Sequence, residues 1–248
     1  MLHVSLTSGR ELASFSVGDF SNARMLKQHL QKICGVPRFR QRLVHNGASL
    51  DDDADLNLPM DMQLVLLPVT PPSEEDIKAL SEAAEMGSVK AVEHILNKPT
   101  EPRQSGKSFG LGSFPMYVAA SRGHADVVRL LLEAQADVNH RKSLDGMYLN
   151  SPLAAAAHRG HVEVARVLLK AGAGQGPDRV DELNDLLMSV CAIGHVELVP
   201  LLLEHGASAN GSENPWTGMV TSTPLSLATK YGNAEVARLL VGAGAVQD

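Results

Sequence analysis

Gly106-Lys107-Ser108-Phe109-Gly110 spells G-x-S-x-G, the string of a nucleophile elbow. In that elbow a serine is held on a sharp turn between a buried strand and a helix. Here Lys98-Pro99-Thr100-Glu101-Pro102 precedes the string, and that composition is a loop, not a strand. Gly106-Lys107-Ser108 also ends like a phosphate-binding loop, but Glu101 stands where the earlier glycine is required. Both strings therefore read as loop. The ten histidines invite a metal reading. His124, His161 and His195 each follow a glycine in corresponding segments, which places them about 10 Å apart, too far to share an ion. His158 and His161 are three apart, but Gly160 intervenes and no third ligand accompanies them. Cys34 and Cys191 have neither metal-ligand spacing nor a histidine partner; Cys191 reads as core, and Cys34 as the exposed end of a helix. No catalytic residue, metal ligand or cofactor site is assigned, and the chain reads as a binding protein.

Two cysteines make no disulfide framework, which points to a reducing interior. The 248 residues are 44% hydrophobic, enough for a long solenoid or two compact cores. No apolar run approaches the ~18 residues of a membrane span, and residues 1–7 alternate like a strand where a signal peptide would be continuously apolar. A cytosolic or nuclear protein without a membrane partner is expected. The net charge of −6 is unevenly placed: residues 1–69 hold seven Lys/Arg and seven Asp/Glu, which leaves fifteen against twenty-one beyond them. Neither part carries the basic footprint of a nucleic-acid binder.

The elements of residues 1–69 follow from pattern. Leu2, Val4 and Leu6 alternate with polar residues, Ser8-Gly9-Arg10 turns, and Leu12, Phe15 and Val17 begin a second strand. Ser21 or Asn22 caps a helix on which Leu26, Leu30 and Ile33 share a face, and Gly35-Val36-Pro37 stops it. Arg42–His45 is a short strand, Asn46-Gly47 a tight turn, and Met62–Leu67 a last strand. The stretches Gly35-Val36-Pro37, Gln41-Arg42-Leu43-Val44, Gly47, Leu50-Asp51-Asp52 and Leu64-Val65-Leu66 follow ubiquitin in order and nearly without gaps. The segment thus resembles an α+β ubiquitin-like β-grasp domain. The family's modifiers end in a flexible Arg-Gly-Gly-type tail, whereas this strand runs into Pro68-Val69-Thr70-Pro71-Pro72, stiff and without a carboxylate to activate. The resemblance therefore implies an integral docking domain. Val44 and Val65 match two members of the apolar patch that the family's partners grip; Gln63 stands at its histidine, and its apolar loop residue is deleted near Thr7-Ser8.

From residue 76 to 248 the chain repeats itself. Gly87-Ser88, Gly123-His124, Gly160-His161, Gly194-His195 and Gly232-Asn233 are spaced by 36, 37, 34 and 38 residues. An amphipathic run follows each, and Phe114-Pro115-Met116, Ser151-Pro152-Leu153 and Thr223-Pro224-Leu225 open Ala-rich helices before three of them. With Thr223-Pro224-Leu225-Ser226-Leu227-Ala228, Ala136-Asp137-Val138-Asn139 and Gly206-Ala207-Ser208-Ala209-Asn210, these units resemble ankyrin repeats, about five in an all-α solenoid. The first has Lys78 and Ser81 at signature positions, as an end cap should. The fourth is degenerate, with Asp185-Leu186 in place of Thr-Pro, and the last keeps an apolar second helix, as an open end or a fragment would. In the family the histidine after the glycine ties neighbouring turns together.

The division expected is a domain over 1–69, a linker over 70–75 and repeats over 76–248. The ankyrin resemblance implies a protein client on the concave face, met by the inner-helix pair before each turn glycine. Those pairs are Glu85-Met86, Ser121-Arg122, His158-Arg159, Ala192-Ile193 and Lys230-Tyr231, a stripe running from acidic through basic to apolar. Arg122, His158, Arg159, Ile193, Lys230 and Tyr231 are its candidate residues, and Trp216, the only tryptophan, is a candidate anchor on a loop. Loop residues Phe109, Phe114, Met147, Tyr148 and Met219 accompany it. The expected function is a non-catalytic adaptor whose ubiquitin-like domain docks on a ubiquitin-handling partner through Val44 and Val65. The competing expectation makes that domain only a structural cap.

Overall fold

A computed structural model describes residues 1–67, 73–97, 113–139, 151–175, 180–211 and 223–246. The glycine-serine string at 106–110, the prolines at 68–72, and Trp216, Met219, Met147, Tyr148 and Phe109 lie outside them. Two compact units are distinguished, one built chiefly on Met1–Ser73 and one on most of Glu74–Asp248.

In the first unit, β1 (Leu2–Leu6), β2 (Glu11–Phe15), β3 (Gln41–His45), β4 (Ala48–Ser49) and β5 (Met60–Leu66) form one mixed sheet in the order β2-β1-β5-β3-β4. The central pair β1–β5 is parallel, and the other pairs are antiparallel. Helix α1 (Ala23–Cys34) supplies Leu26 and Leu30 to a core that also holds Leu2, Val4, Leu43, Leu56, Met62 and Leu64. Asn22, rather than Ser21, caps α1: its side chain accepts from the Met25 amide at 3.0 Å. Asn46 and Gly47 both have positive φ, as the two-residue turn between His45 and Ala48 requires.

Two expectations for this unit need correction. Ile33 does not share the buried face of Leu26 and Leu30; it is 46% exposed. Ile33 stands one residue before the end of α1 at Cys34, outside the core that Leu26 and Leu30 reach. The second strand ends at Phe15, with Val17 exposed beyond it. Leu12 and Phe15, three apart, both reach the core because the register slips: Val4 pairs with Ala13 but Ser5 pairs with Glu11.

The second unit is built of helix pairs: α2 (Glu74–Glu85) with α3 (Val89–Leu96), α4 (Ser113–Arg122) with α5 (Ala125–Glu133), α6 (Pro152–His158) with α7 (Val162–Lys170), α8 (Val180–Ile193) with α9 (Leu198–Glu204), and α10 (Pro224–Lys230) with α11 (Ala234–Gly242). Each even-numbered helix packs on the next, from α2 to α10. Alanines make that approach close, with Ala83, Ala119, Ala156 and Ala228 all buried four residues before their turn glycines. The odd-numbered helices bury the apolar runs read from the sequence, including Val127, Val128 and Leu131 on α5 and Val164, Leu168 and Leu169 on α7.

Candidate protein-binding surface

Every even-numbered helix ends at a glycine with positive φ: Gly87, Gly123, Gly160, Gly194 and Gly232. The next repeat's residue after its own glycine lies over that turn. The Nε2 of His124 meets the carbonyl of Glu85 at 2.9 Å, that of His161 the carbonyl of Ser121 at 3.1 Å, and that of His195 the carbonyl of His158 at 3.2 Å. Asn233 takes the same place by donating from Nδ2 to the carbonyls of Cys191 and Ala192 at 2.8 and 3.0 Å. All five bonds end on helix-terminal carbonyls that the helix itself leaves unpaired. They hold successive turns in one register. The imidazoles therefore serve the backbone, as the resemblance implied.

A second ladder was not read from the sequence. Asn139 donates to the Gly172 carbonyl at 3.2 Å and accepts from the Gly174 amide at 3.3 Å. Asn210 accepts from the Val246 amide at 2.9 Å, and Asn184 from that of Ser208 at 2.7 Å. Its signal was the asparagine closing Ala136-Asp137-Val138-Asn139 and Gly206-Ala207-Ser208-Ala209-Asn210.

With the turns in register, the residue before each glycine forms a solvent row: Met86, Arg122, Arg159, Ile193 and Tyr231, all exposed. Met86 is 72%, Ile193 48% and Tyr231 58% exposed, high values for apolar side chains. Arg122 is ion-paired with Glu85 of the preceding repeat. Arg159 has no ion-pair partner among the described residues. His158 is half-buried, with Nδ1 bonded to the Ala154 carbonyl at 2.7 Å. The Lys230 ammonium lies 5.7 Å from the centre of the Tyr231 ring, a cation–π contact.

In the first unit Val44 sits opposite Gln63, and Val65 opposite Arg42. Leu43 and Leu64, the next residues along each strand, are buried, so Val44 and Val65 lie on the face away from the core, both half-buried. Beside the core, Asp52 accepts from Lys27 Nζ at 2.7 Å and from Arg38 Nη1 at 2.6 Å. Burial pushes its carboxyl up, but the Lys27 hydrogen bond and the charges of Lys27 and Arg38 prevail and hold it below the ordinary aspartate value. This cluster went unread because Lys27, Arg38 and Asp52 look like surface charges in sequence. Cys191 is fully buried and its thiol is pushed up to about 12 by desolvation, which makes it a packing residue. Cys34 is partly exposed.

A family model for ankyrin repeats (3 copies) matches residues 80–181 and 173–248, and the chain belongs to the ankyrin-repeat family. Ankyrin repeats are typically non-catalytic modules that bind other proteins. A search of curated proteins returned no match. Among the described residues, no helix is long and apolar enough to cross a membrane, and no group of three His, Cys, Asp or Glu residues is placed to hold a metal ion.

Proposed function

We propose that the chain is a non-catalytic adaptor. A protein client lies along the row Met86, Arg122, Arg159, Ile193 and Tyr231, and residues 1–69 are an integral ubiquitin-like module that docks on a ubiquitin-handling partner. The observation that carries the reading is the row itself: five exposed side chains at one repeat position, on turns held rigid by backbone bonds. Rigid presentation lowers the entropy lost on binding, and Arg and Tyr are frequent anchors of interfaces. His158 and Lys230 flank the row, and Trp216, outside the described residues, is kept as a further anchor on its residue type alone. For the first unit, the strand order and the outward Val44 and Val65 support a docking sheet. The acidic balance of the chain disfavours nucleic acid, and its expected place is the cytosol or nucleus.

The test compares partners captured by the full chain, by R159E with I193D, and by V44D with V65D. Loss of one partner set in the first variant and of ubiquitin-system proteins in the second is the expected outcome. Identical partners in all three would end the adaptor reading. A second reading, a structural cap, is favoured by the polar Arg42 and Gln63 that share the face of the two valines. On that reading V44D with V65D keeps every partner. The division into 1–69, 70–75 and 76–248 rests on the prolines of the joint, and limited proteolysis should release a stable repeat fragment beginning near residue 73.

A further inference from the structure

The row has a period, and the period constrains what can lie on it. Bonds from His161, His195 and Asn233 tie the turns that follow α4, α6, α8 and α10 in one register, so equivalent side chains step by one helix spacing. Packed helices stand about 8–10 Å apart. A β-strand presents same-face residues every second position, about 6.8 Å apart, and overshoots at the fourth. An α-helix presents positions i, i+4 and i+7 on one stripe, about 6 and 10.5 Å along, one step too short and the other too long. A polyproline II segment has three residues per turn and rises about 3.1 Å per residue, so positions i, i+3 and i+6 share a face about 9.3 Å apart. Only the last falls inside the spacing of the row.

The side chains supply the letters for that period. Arg159 on the α6 turn is an exposed guanidinium without an ion-pair partner among the described residues, suited to a carboxylate in a two-bond clasp. Ile193 and Tyr231 on the next two turns are exposed and apolar. Arg122, one turn before, already meets Glu85, so a second carboxylate there would gain little. Resting on the reading of the row as a client surface, we infer that the α6, α8 and α10 turns recognise a polyproline II segment of the form acidic–x–x–apolar–x–x–apolar, in either chain direction. Its carboxylate lies on Arg159, and its apolar residues on Ile193 and Tyr231.

The probes are fluorescein-labelled peptides titrated into the full chain and followed by anisotropy. Glu-Pro-Pro-Leu-Pro-Pro-Leu and its reverse carry the period of three. Glu-Thr-Leu-Thr-Leu carries the period of two, and an alanine-based helix with Glu, Leu and Leu seven apart carries the third register. At least tenfold tighter binding of one period-three peptide is expected, with a tenfold loss in R159E and recovery when the peptide Glu is replaced by Lys. Equal or tighter binding of either other register, dependent on Arg159, overturns the inferred conformation and leaves the client surface standing. Binding of no peptide, or binding indifferent to R159E, overturns the inference outright, while partner capture by R159E with I193D judges the surface separately. R159Q, which removes the charge but stays polar, should fall between the native chain and R159E.

Discussion

At a turn glycine two constraints meet in one residue. Gly160 has φ of +72°, and a Cβ built there would stand 2.8 Å from Cε1 of His195. Gly232 has φ of +76° with nothing within 4 Å of the same added atom. Both suffer the left-handed strain when changed to Ala, roughly 1 kcal/mol, but only Gly160 also displaces a ring whose hydrogen bond contributes about another 1 kcal/mol. Urea denaturation should show G160A less stable than G232A by about that second amount; equal losses would mean that the ring yields freely. Asn233 fills the histidine's place in the last repeat, so H161N should retain most of the stability that H161A loses. Asp52 gives a pH-dependent case. Its folded pKa is depressed, so its contribution is complete above the unfolded value of about 4 and drains as pH falls through the folded value. D52N should lower stability at neutral pH by about 3 kcal/mol, since Lys27 stays buried without its carboxylate. It should also flatten the acid limb of stability against pH, and an acid limb as steep as the native one would assign that limb to other carboxylates.

At the scale of elements, the start of each even-numbered helix follows its opening residues. Ser151 caps α6 by accepting from the Ala154 amide at 3.0 Å, and Thr223 and Ser226 exchange bonds at the head of α10. In both, proline takes the first helical position and the helix begins there. α8 has Asp185-Leu186 at those places and begins at Val180, six residues before Leu186, while α2 has Lys78-Ala79 and begins at Glu74. Without a cap or proline nothing stops the helix from extending upstream. Leu186→Pro would put the ring inside α8, remove one hydrogen bond and cost about 3 kcal/mol, with faster amide exchange over 180–185; Ser151→Ala should cost only about 1 kcal/mol. Protection unchanged over 180–185 would count against this account of the helix start. Much at this scale was legible because local chemistry decides it: Asn46-Gly47, Gly35 and the helices opened by Pro152 and Pro224 formed where their residues placed them. Ile33 and Val17 misled because the point where a helix's buried face or a strand stops is settled by packing across the sheet. Arg122 reads as a free cation until Glu85, 37 residues away, is brought beside it.

For the whole molecule, a stack of repeats is stabilised by each unit's neighbour. On α10, Ser226 and Thr229 are exposed at the positions where α6 buries Ala154 and Ala157. On α11, Val241 is exposed where α7 buries Leu169. The α10–α11 pair is thus more polar than its counterparts on one helix and still apolar on the other. At the other end of the chain, the proposed ubiquitin-like module raises the question of conjugation. Activation of a modifier needs a carboxylate at the end of a flexible, unhindered tail, since the activating enzyme must adenylate it and pass it to a thiol. Here the strand ending at Leu66 leads to Pro68, Pro71 and Pro72 and then to the repeats, so the chain offers amides and fixed φ angles where that chemistry needs a free end. Incubated with ubiquitin-activating enzyme, ATP and magnesium, the full chain should give no thiol-reducible adduct on a non-reducing gel, while ubiquitin beside it is charged. A reducible adduct mapping to residues 66–72 would mean that the joint is processed to expose a carboxylate there, and the docking role would give way to that of a precursor.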